Sequence, residues 1–272
     1  MIKAIFFDLD RTLLNSRKEI PDSAKSALAE CKCRGIKLFI ATARPPILDG
    51  MLDWGDEEFS LFDGGIYCNG GCIEIDKNIF YTYIPSNIVL YCAEAVKKYE
   101  GLNITLQMKN EKHAFNNPLD DFAYDIWGIK KADTVKITSD CAAQTVKILI
   151  YYENMVDIVS DLPIELIEDL QEYCDKKVSF CLTDSGKIIQ ITAKTATKYN
   201  AAERVRKHFG FLTEEIAVFG DDMNDIEMLR GYDNSVAMGN ADEQVKAIAG
   251  FVTKSNDDDG IAYAISDLLN II

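Results

Sequence analysis

Residues 3–13 read KAIFFDLDRTL. Lys3–Phe7 is an apolar run of strand length, and it stops on two carboxylates, Asp8 and Asp10. Beyond it, Asp22 is placed to cap a helix running to about Cys33, with Gly35 as its stop. Ile36–Ala41 is a second apolar run of strand length. Strand, helix, strand predicts parallel pairing through a right-handed crossover, so the chain opens as an α/β fold with a parallel sheet. Gly64, Gly65, Gly70 and Gly71 then punctuate two short runs, Ile66–Cys68 and Cys72–Ile75, which predict a hairpin.

The far end of the chain repeats this alternation. A helix is expected from about Thr197 to His208, stopped by Gly210, followed by a strand at Ile216–Phe219 and a short helix at Asp225–Arg230. Ser235–Ala237 and Phe251–Thr253 read as strands, Asn240 as the cap of a helix through Ala249, and Ile261–Leu269 as a last helix. The middle pairs strands with helices less regularly. Helices are expected from Ser86 to about Tyr99 and over Pro163–Cys174, and strands near Asn103–Met108, Lys147–Tyr152, Val178–Thr183 and Ile188–Thr192. The expected organisation is a discontinuous core, 1–82 and 193–272, with an α+β domain inserted at 83–192. At 272 residues the chain is long enough for a core plus an insertion.

Composition narrows the function classes. A hydrophobic fraction of 48% with 27% charged residues excludes a disordered chain. The net charge of −15 repels nucleic acid and anionic membranes, so neither is expected as a partner. No apolar run is long enough to span a bilayer, and Ala4–Phe7 is too short for the apolar centre of a secretory signal. The eight cysteines form no C-x-x-C pair, and only His113 and His208 could join them on zinc. Buried free thiols in a reducing cytoplasm are the expectation.

Four polar clusters fall at expected strand or helix ends, where ligands gather in doubly wound folds. Asp8 and Asp10 would project to one side of an extended chain, and their repulsion is relieved by a hard divalent cation. Thr42, in Ala41-Thr42-Ala43-Arg44-Pro45, offers a hydroxyl and neighbouring N–H groups to a phosphate oxygen. Lys198 could neutralise a phosphoryl group as a point charge. Gly220-Asp221-Asp222-Met223-Asn224-Asp225 crowds three carboxylates and an amide after an apolar strand, which calls for a cation among them. Each cluster also has an ordinary reading: an acidic turn, a helix cap before proline, a solvated lysine, a solvated acidic loop. The aromatic residues Phe115, Phe122, Tyr124 and Trp127 of the inserted domain could contact a substrate, but their helical spacing favours core, and His113 reads as structural, not catalytic.

Taken together, DLDRTLL, ATARP, the lysine at 198 and GDDMNDIEML resemble the four motifs of the haloacid dehalogenase superfamily. The insertion and the Asn69–Gly71 NGG resemble the Cof-type subgroup, which implies an α/β, Rossmann-like core with a parallel sheet and a large inserted α+β cap. The resemblance implies a Mg²⁺-dependent phosphatase that hydrolyses small-molecule phosphate monoesters through an aspartyl-phosphate. It implies Asp8 as nucleophile and metal ligand, Asp10 as general acid/base with its carbonyl as a second ligand, and Asp221 as the third. Thr42, Lys198, Asn224 and the N–H groups of Leu9 and Ala43 would hold the phosphate, with Asp225 and Thr12 in support. As first-step acid, Asp10 would need a raised pKa. The cap, 83–192, would close over the site and read the leaving group. The expected partner is a small phosphorylated metabolite.

Arg11, Ala43 and Tyr199 stand where relatives commonly have Gly, and Arg11 and Tyr199 are expected to add bulk near the cleft. Two other functions fit the same residues. One is a phosphomutase, which returns the phosphoryl group to a sugar. The other is a non-catalytic phospholigand-binding protein.

Overall fold

The structure is a computed structural model that describes residues 1–117, 119, 121–152 and 161–272. Among these residues the strands are β1 (Ala4–Phe7), β2 (Lys37–Ala41), β3 (Gly64–Tyr67), β4 (Cys72–Ile75), β5 (Asn78–Tyr81), β6 (Leu102–Met108), β7 (His113–Phe115), β8 (Thr134–Lys136), β9 (Thr145–Tyr152), β10 (Val178–Thr183), β11 (Ile188–Ala193), β12 (Ile216–Gly220), β13 (Asn234–Ala237) and β14 (Phe251–Val252). They form two sheets, in the orders β14-β13-β12-β1-β2-β3-β4-β5 and β10-β11-β9-β6-β7-β8. The chain divides into two compact units, one of Met1–Arg44, Leu52–Phe80 and Thr197–Ile272, the other of Pro45–Met51 and Tyr81–Ala196. Pro45–Met51, which the sequence reading put in the core, groups with the inserted residues.

In the first unit β1 pairs in parallel with β2 on one side and β12 on the other. β3 extends the parallel set beyond β2, and β13 and β14 extend it beyond β12, before β4 turns back antiparallel. The runs AIFF, LFIA and IAVF are buried throughout, as expected of parallel strands covered on both faces. Phe6 stacks on Phe39 at 5.1 Å between ring centres and Phe7 on Phe219 at 4.9 Å, one pair on each face of the sheet. Because β1 is central and the chain leaves it in both directions, the carboxyl ends of β1, β2 and β12 lie side by side at a topological switch point.

Three local expectations differ from the structure. Asp22 is the first helical residue and caps nothing with its side chain; the helix runs from Asp22 to Cys33 behind Pro21. Asn240 does not cap a long helix: the helix there is only Glu243–Lys246, and the Asn240 amide bridges loops, donating to Arg11 O and accepting from Asn256 N. The last helix is α-helical over Gly260–Tyr263 and widens into a π-turn over Ala264–Leu268.

In the second unit the six strands place one face against the helices Ser86–Val96 and Ile164–Cys174. There Ile88, Cys92, Leu166 and Leu170 pack with Ile104, Ile148, Ile150 and Ile191. On the other face Phe115, Trp127, Leu149 and Tyr151 cluster with Ile47, and Tyr124 packs at the margin. The side chain of Phe122 lies outside the described residues.

His113 is 1% exposed. Its Nδ1 lies 3.0 Å from Glu111 O, and a carbonyl can only accept, so Nδ1 carries the proton. Its Nε2 is buried with no partner among the described residues. Burial pushes the imidazole down to about 4 from 6.5, against the pull of Glu111 O and Asp133. The fold thus prefers the neutral ring. Its stabilising contribution is complete above pH 6.5 and fades as pH falls toward 4. Replacing His113 with Phe, which keeps an aromatic beside Phe115, is expected to flatten the decline in melting temperature between pH 6.5 and 4. A decline as steep as in the parent protein refutes this account.

Candidate active site

Four loop segments meet at the carboxyl ends of β1, β2 and β12. Phe7 is aligned with Ile40 and Phe219 across the sheet, so Asp8 follows at the level where β2 runs into Thr42 and β12 into Asp221. Asp8, Thr42, Asp221, Asp225 and Lys198 are all buried. Lys198 comes from the first turn of the helix Lys198–Phe209, whose cap Thr197 accepts from Asn200 N at 3.2 Å. Gly210 closes the helix with φ of 69°, a left-handed conformation natural to glycine.

The Lys198 ammonium donates to Asp8 Oδ1 at 2.6 Å and to Asp225 Oδ1 at 2.7 Å, with the Lys198 side chain fully enclosed. Asp225 Oδ2 also accepts from the N–H groups of Asp221, at 3.1 Å, and Asp222, at 3.2 Å. Both Asp225 oxygens are therefore engaged, and the residue acts as a bracket. The bracket requires glycine at 220, because a Cβ there would stand 2.5 Å from Asp225 Cβ. The exposed Asp222 serves the same turn, accepting from Met223 N at 2.7 Å.

Asp8, Asp221 and Asp225 each offer a carboxylate oxygen within 4.8 Å of the others. Burial pushes the Asp8 carboxyl well up against the pull of Lys198, and the Asp225 and Asp221 charges push it further. Burial also lifts Asp221 to about 6, although the Thr12 hydroxyl, donating to its Oδ1 at 2.8 Å, works the other way. Lys198 stays charged, because its two carboxylates outweigh the cost of burial. Carboxylates so raised are short of positive charge, and the donor set is all hard oxygen, which suits a divalent cation of the Mg²⁺ type. With Asp225 engaged, Asp8 and Asp221 are the carboxylates left to hold it.

Asp10 departs from expectation. It does not join this cluster. After Asp8 the chain turns, with Leu13 N donating to Asp8 O and Leu14 N to Leu9 O, so the two acids do not stay on one extended face. The Arg44 fork grips Asp10 by both oxygens, at 2.8 and 2.7 Å, and Lys18 adds a bond at 2.7 Å. Burial pushes Asp10 up, but the bonds and charges of Arg44 and Lys18 outweigh it and hold the carboxyl down at about 2. The raised pKa expected of a first-step acid is thus reversed, because two cations face Asp10. Arg44 and Lys18 had no part in the sequence reading, and the nearest signal for Arg44 was its place two residues past Thr42.

Other expected residues fall as follows. Thr42 Oγ1 accepts from Arg44 N at 3.1 Å, which shapes the turn after β2; Ala43, half-buried, lies between them. Leu9 is fully buried behind Asp8. The Asn224 amide donates to Asn69 Oδ1 at 3.1 Å, so the NGG segment reaches the same strand ends. Gly70 makes that approach feasible: its φ is 99° and a Cβ there would meet Thr197 O at 2.5 Å. Tyr199 adds no bulk to the cleft. Its ring packs edge-on against Tyr232 at 5.9 Å and fills the space over Gly231, half-buried against the hydrophobic core.

The geometry agrees with comparisons to known proteins. A sequence profile of the haloacid dehalogenase-like hydrolases matches residues 5–265, and the chain belongs to that family. It is 27% identical over 295 residues, 99% of each chain, to the Bacillus subtilis 5-amino-6-(5-phospho-D-ribitylamino)uracil phosphatase YwtE. Among solved structures it resembles the subclass IIB sugar phosphatase BT4131, at 28% identity and a TM-score of 0.79, covering 99% of this chain and all of that one. It also resembles a haloacid dehalogenase-like hydrolase from Bacteroides thetaiotaomicron, at 25% identity and a TM-score of 0.78, covering 98% and 100%. The Cof-type resemblance of the motifs and these subclass IIB features agree.

Lys198→Met would leave Asp8 and Asp225 buried without their cation. Breaking a buried ion pair from one side costs about 3–5 kcal/mol. A loss of that size is expected in the metal-free protein, read from the urea midpoint of unfolding. A midpoint within error of the parent would show that the three charges are not interdependent.

Proposed function

We propose that the protein is a Mg²⁺-dependent phosphatase of the cytoplasm that hydrolyses small-molecule phosphate monoesters through an aspartyl-phosphate on Asp8. The observation that carries this reading is the Lys198 ammonium bound to Asp8 Oδ1 beside the Asp221 carboxylate. It fixes one carboxylate oxygen of Asp8 and leaves the other for phosphorus. Phosphate monoesters are the substrate class of this hydrolase. Among them a sugar phosphate or similar polyol phosphate is favoured by the likeness to a sugar phosphatase and to a ribitylamino-phosphate phosphatase.

Asp8, Asp221 and the backbone carbonyl of Asp10 are the proposed metal ligands. A bound Mg²⁺ would offset the repulsion between a carboxylate nucleophile and a phosphate dianion. Asp8 attacks phosphorus, a P–O bond forms, and the bond to the alcohol oxygen breaks. Lys198, the Thr42 hydroxyl, Asn224 and the N–H groups of Leu9 and Ala43 spread the charge of the transferring group. Thr12 orients Asp221, and Asp225 orients Lys198. In the second step ionised Asp10 takes a proton from the water that attacks the aspartyl-phosphate. Its low pKa suits that role. To protonate the leaving alcohol in the first step, Asp10 must first be released from both Arg44 and Lys18 and take up a proton from solvent. Selection of the leaving group is assigned to the inserted unit.

Asp8→Asn is expected to lower phosphate release from an aryl phosphate at least a thousandfold, and complete chelation of divalent ions to abolish it in the parent. Turnover that survives either change refutes the nucleophile or the metal. The raised Asp221 carboxyl gives a separate signature. In the metal-free fold its ionisation is unfavourable, so its contribution to stability falls as pH rises through about 6. Added Mg²⁺ should therefore raise the melting temperature more at pH 7.5 than at pH 5, where Asp221 is protonated. Equal shifts at both pH values count against Asp221 as a ligand.

A further inference from the structure

Arg11 is held in an uncommon way. Its φ is 62°, in the left-handed region that a residue with a Cβ rarely adopts. A reciprocal pair of bonds pins it there: Asn240 Nδ2 donates to Arg11 O at 2.8 Å, and Arg11 Nη2 donates to Asn240 O at 3.0 Å. Asn240 is itself anchored, its Oδ1 accepting from Asn256 N, and Asn256 Nδ2 donates to Leu14 O. The clamp delivers the guanidinium to one place, with Nε 3.6 Å from Asp221 Oδ2. The Asp221 side chain is 2% exposed, while that of Arg11 is 63% exposed. The cation thus sits at the mouth of a buried carboxylate. Thr12 holds Asp221 Oδ1, so Oδ2, the oxygen facing Arg11, is the one left to bind a metal ion.

We infer that Arg11 is a tethered counter-ion that weakens the binding of a divalent cation to Asp8 and Asp221, and so sets the metal concentration at which the site fills. The inference rests on the metal site proposed above. The physical reason is direct. A divalent ion on Asp221 Oδ2 must approach a positive charge already placed beside that oxygen. Part of the attraction it would gain from the buried carboxylate is spent on the guanidinium, and the two cations repel across a few ångströms, although solvent reaches the Arg11 side and softens the repulsion. Glycine in the same left-handed turn would permit the backbone and carry no charge. The charge is the part of Arg11 that the turn does not require. Lys198 cannot do this work, since its ammonium is committed to Asp8 and Asp225. Arg44 cannot either, since its fork is closed on Asp10. Arg11 is thus a positioning residue for charge, acting on the metal through Asp221.

The test is direct binding of Mn²⁺ to the substrate-free, full-length protein at pH 7.5 and low salt, followed by electron paramagnetic resonance. It compares the parent with Arg11→Gln, Arg11→Gly and Arg11→Lys. Arg11→Gln and Arg11→Gly should both bind Mn²⁺ on the order of tenfold more tightly. Arg11→Lys, which keeps the charge on a shorter reach, should fall between them and the parent. Raising the ionic strength should shrink the difference, because the guanidinium is exposed to screening. Tightening in Arg11→Gly alone would assign the effect to relief of the backbone and overturn the inference. Equal or weaker binding in both neutral variants would overturn it as well, while leaving the metal site itself standing. If the parent binds no Mn²⁺, or binds it equally with Asp221→Asn, the metal reading fails and takes this inference with it.

Discussion

One enclosed ammonium organises the site. Lys198 lies between Asp8, 190 residues earlier in the chain, and Asp225, 27 residues later, and none of the three is solvated enough to be stable alone. The ion set therefore holds only if every backbone segment delivers its charge together. Gly220 lets the chain fold back so that Asp225 accepts from the Asp221 and Asp222 N–H groups. Asp225 in turn aims Lys198, and Lys198 aims Asp8. The parallel sheet supplies the common floor, because β1 is hydrogen-bonded to both β2 and β12 and their carboxyl ends cannot separate.

Around that centre the same residue type is held in opposite electrical states. Asp8 and Asp221 lie in buried, acid-rich surroundings that push their carboxyl groups up. Asp10, only two residues from Asp8, faces Arg44 and Lys18 and is held down at about 2. Pairs of titratable groups pushed apart by their surroundings are the usual means by which one fold runs nucleophilic and proton-transfer chemistry together. Outside the enclosed lysine, Arg44 and Lys18 face Asp10, and Arg11 stands beside Asp221.

The strand-and-helix order of the first unit was legible because its signals are local. Apolar runs of strand length end on acids at Asp8 and Asp221, and Gly210 stops its helix with a left-handed turn. The helix assigned to Asn240 through Ala249 failed for an equally physical reason. Asn240 spends its amide on Arg11 and Asn256, partners that no local pattern announces. Tyr199 was misplaced because it stands where relatives commonly have Gly, so its ring read as added bulk near the cleft, whereas the helical turn packs the ring against the core over Gly231.

Residue type and order alone determined the alternation of strands and helices in the first unit and the crowding of acids after two of its strands, since both are short-range patterns; Lys198 was singled out only by the resemblance of four separate segments to one family. Only the tertiary structure decided what each charge faces. Asp10 is gripped by Arg44 and Lys18, Asp225 spends both oxygens on bracketing, and Arg11 is pinned above Asp221 by a loop 229 residues away. Electrostatic energy depends on distance and burial in space, and neither is encoded in the spacing of residues along the chain.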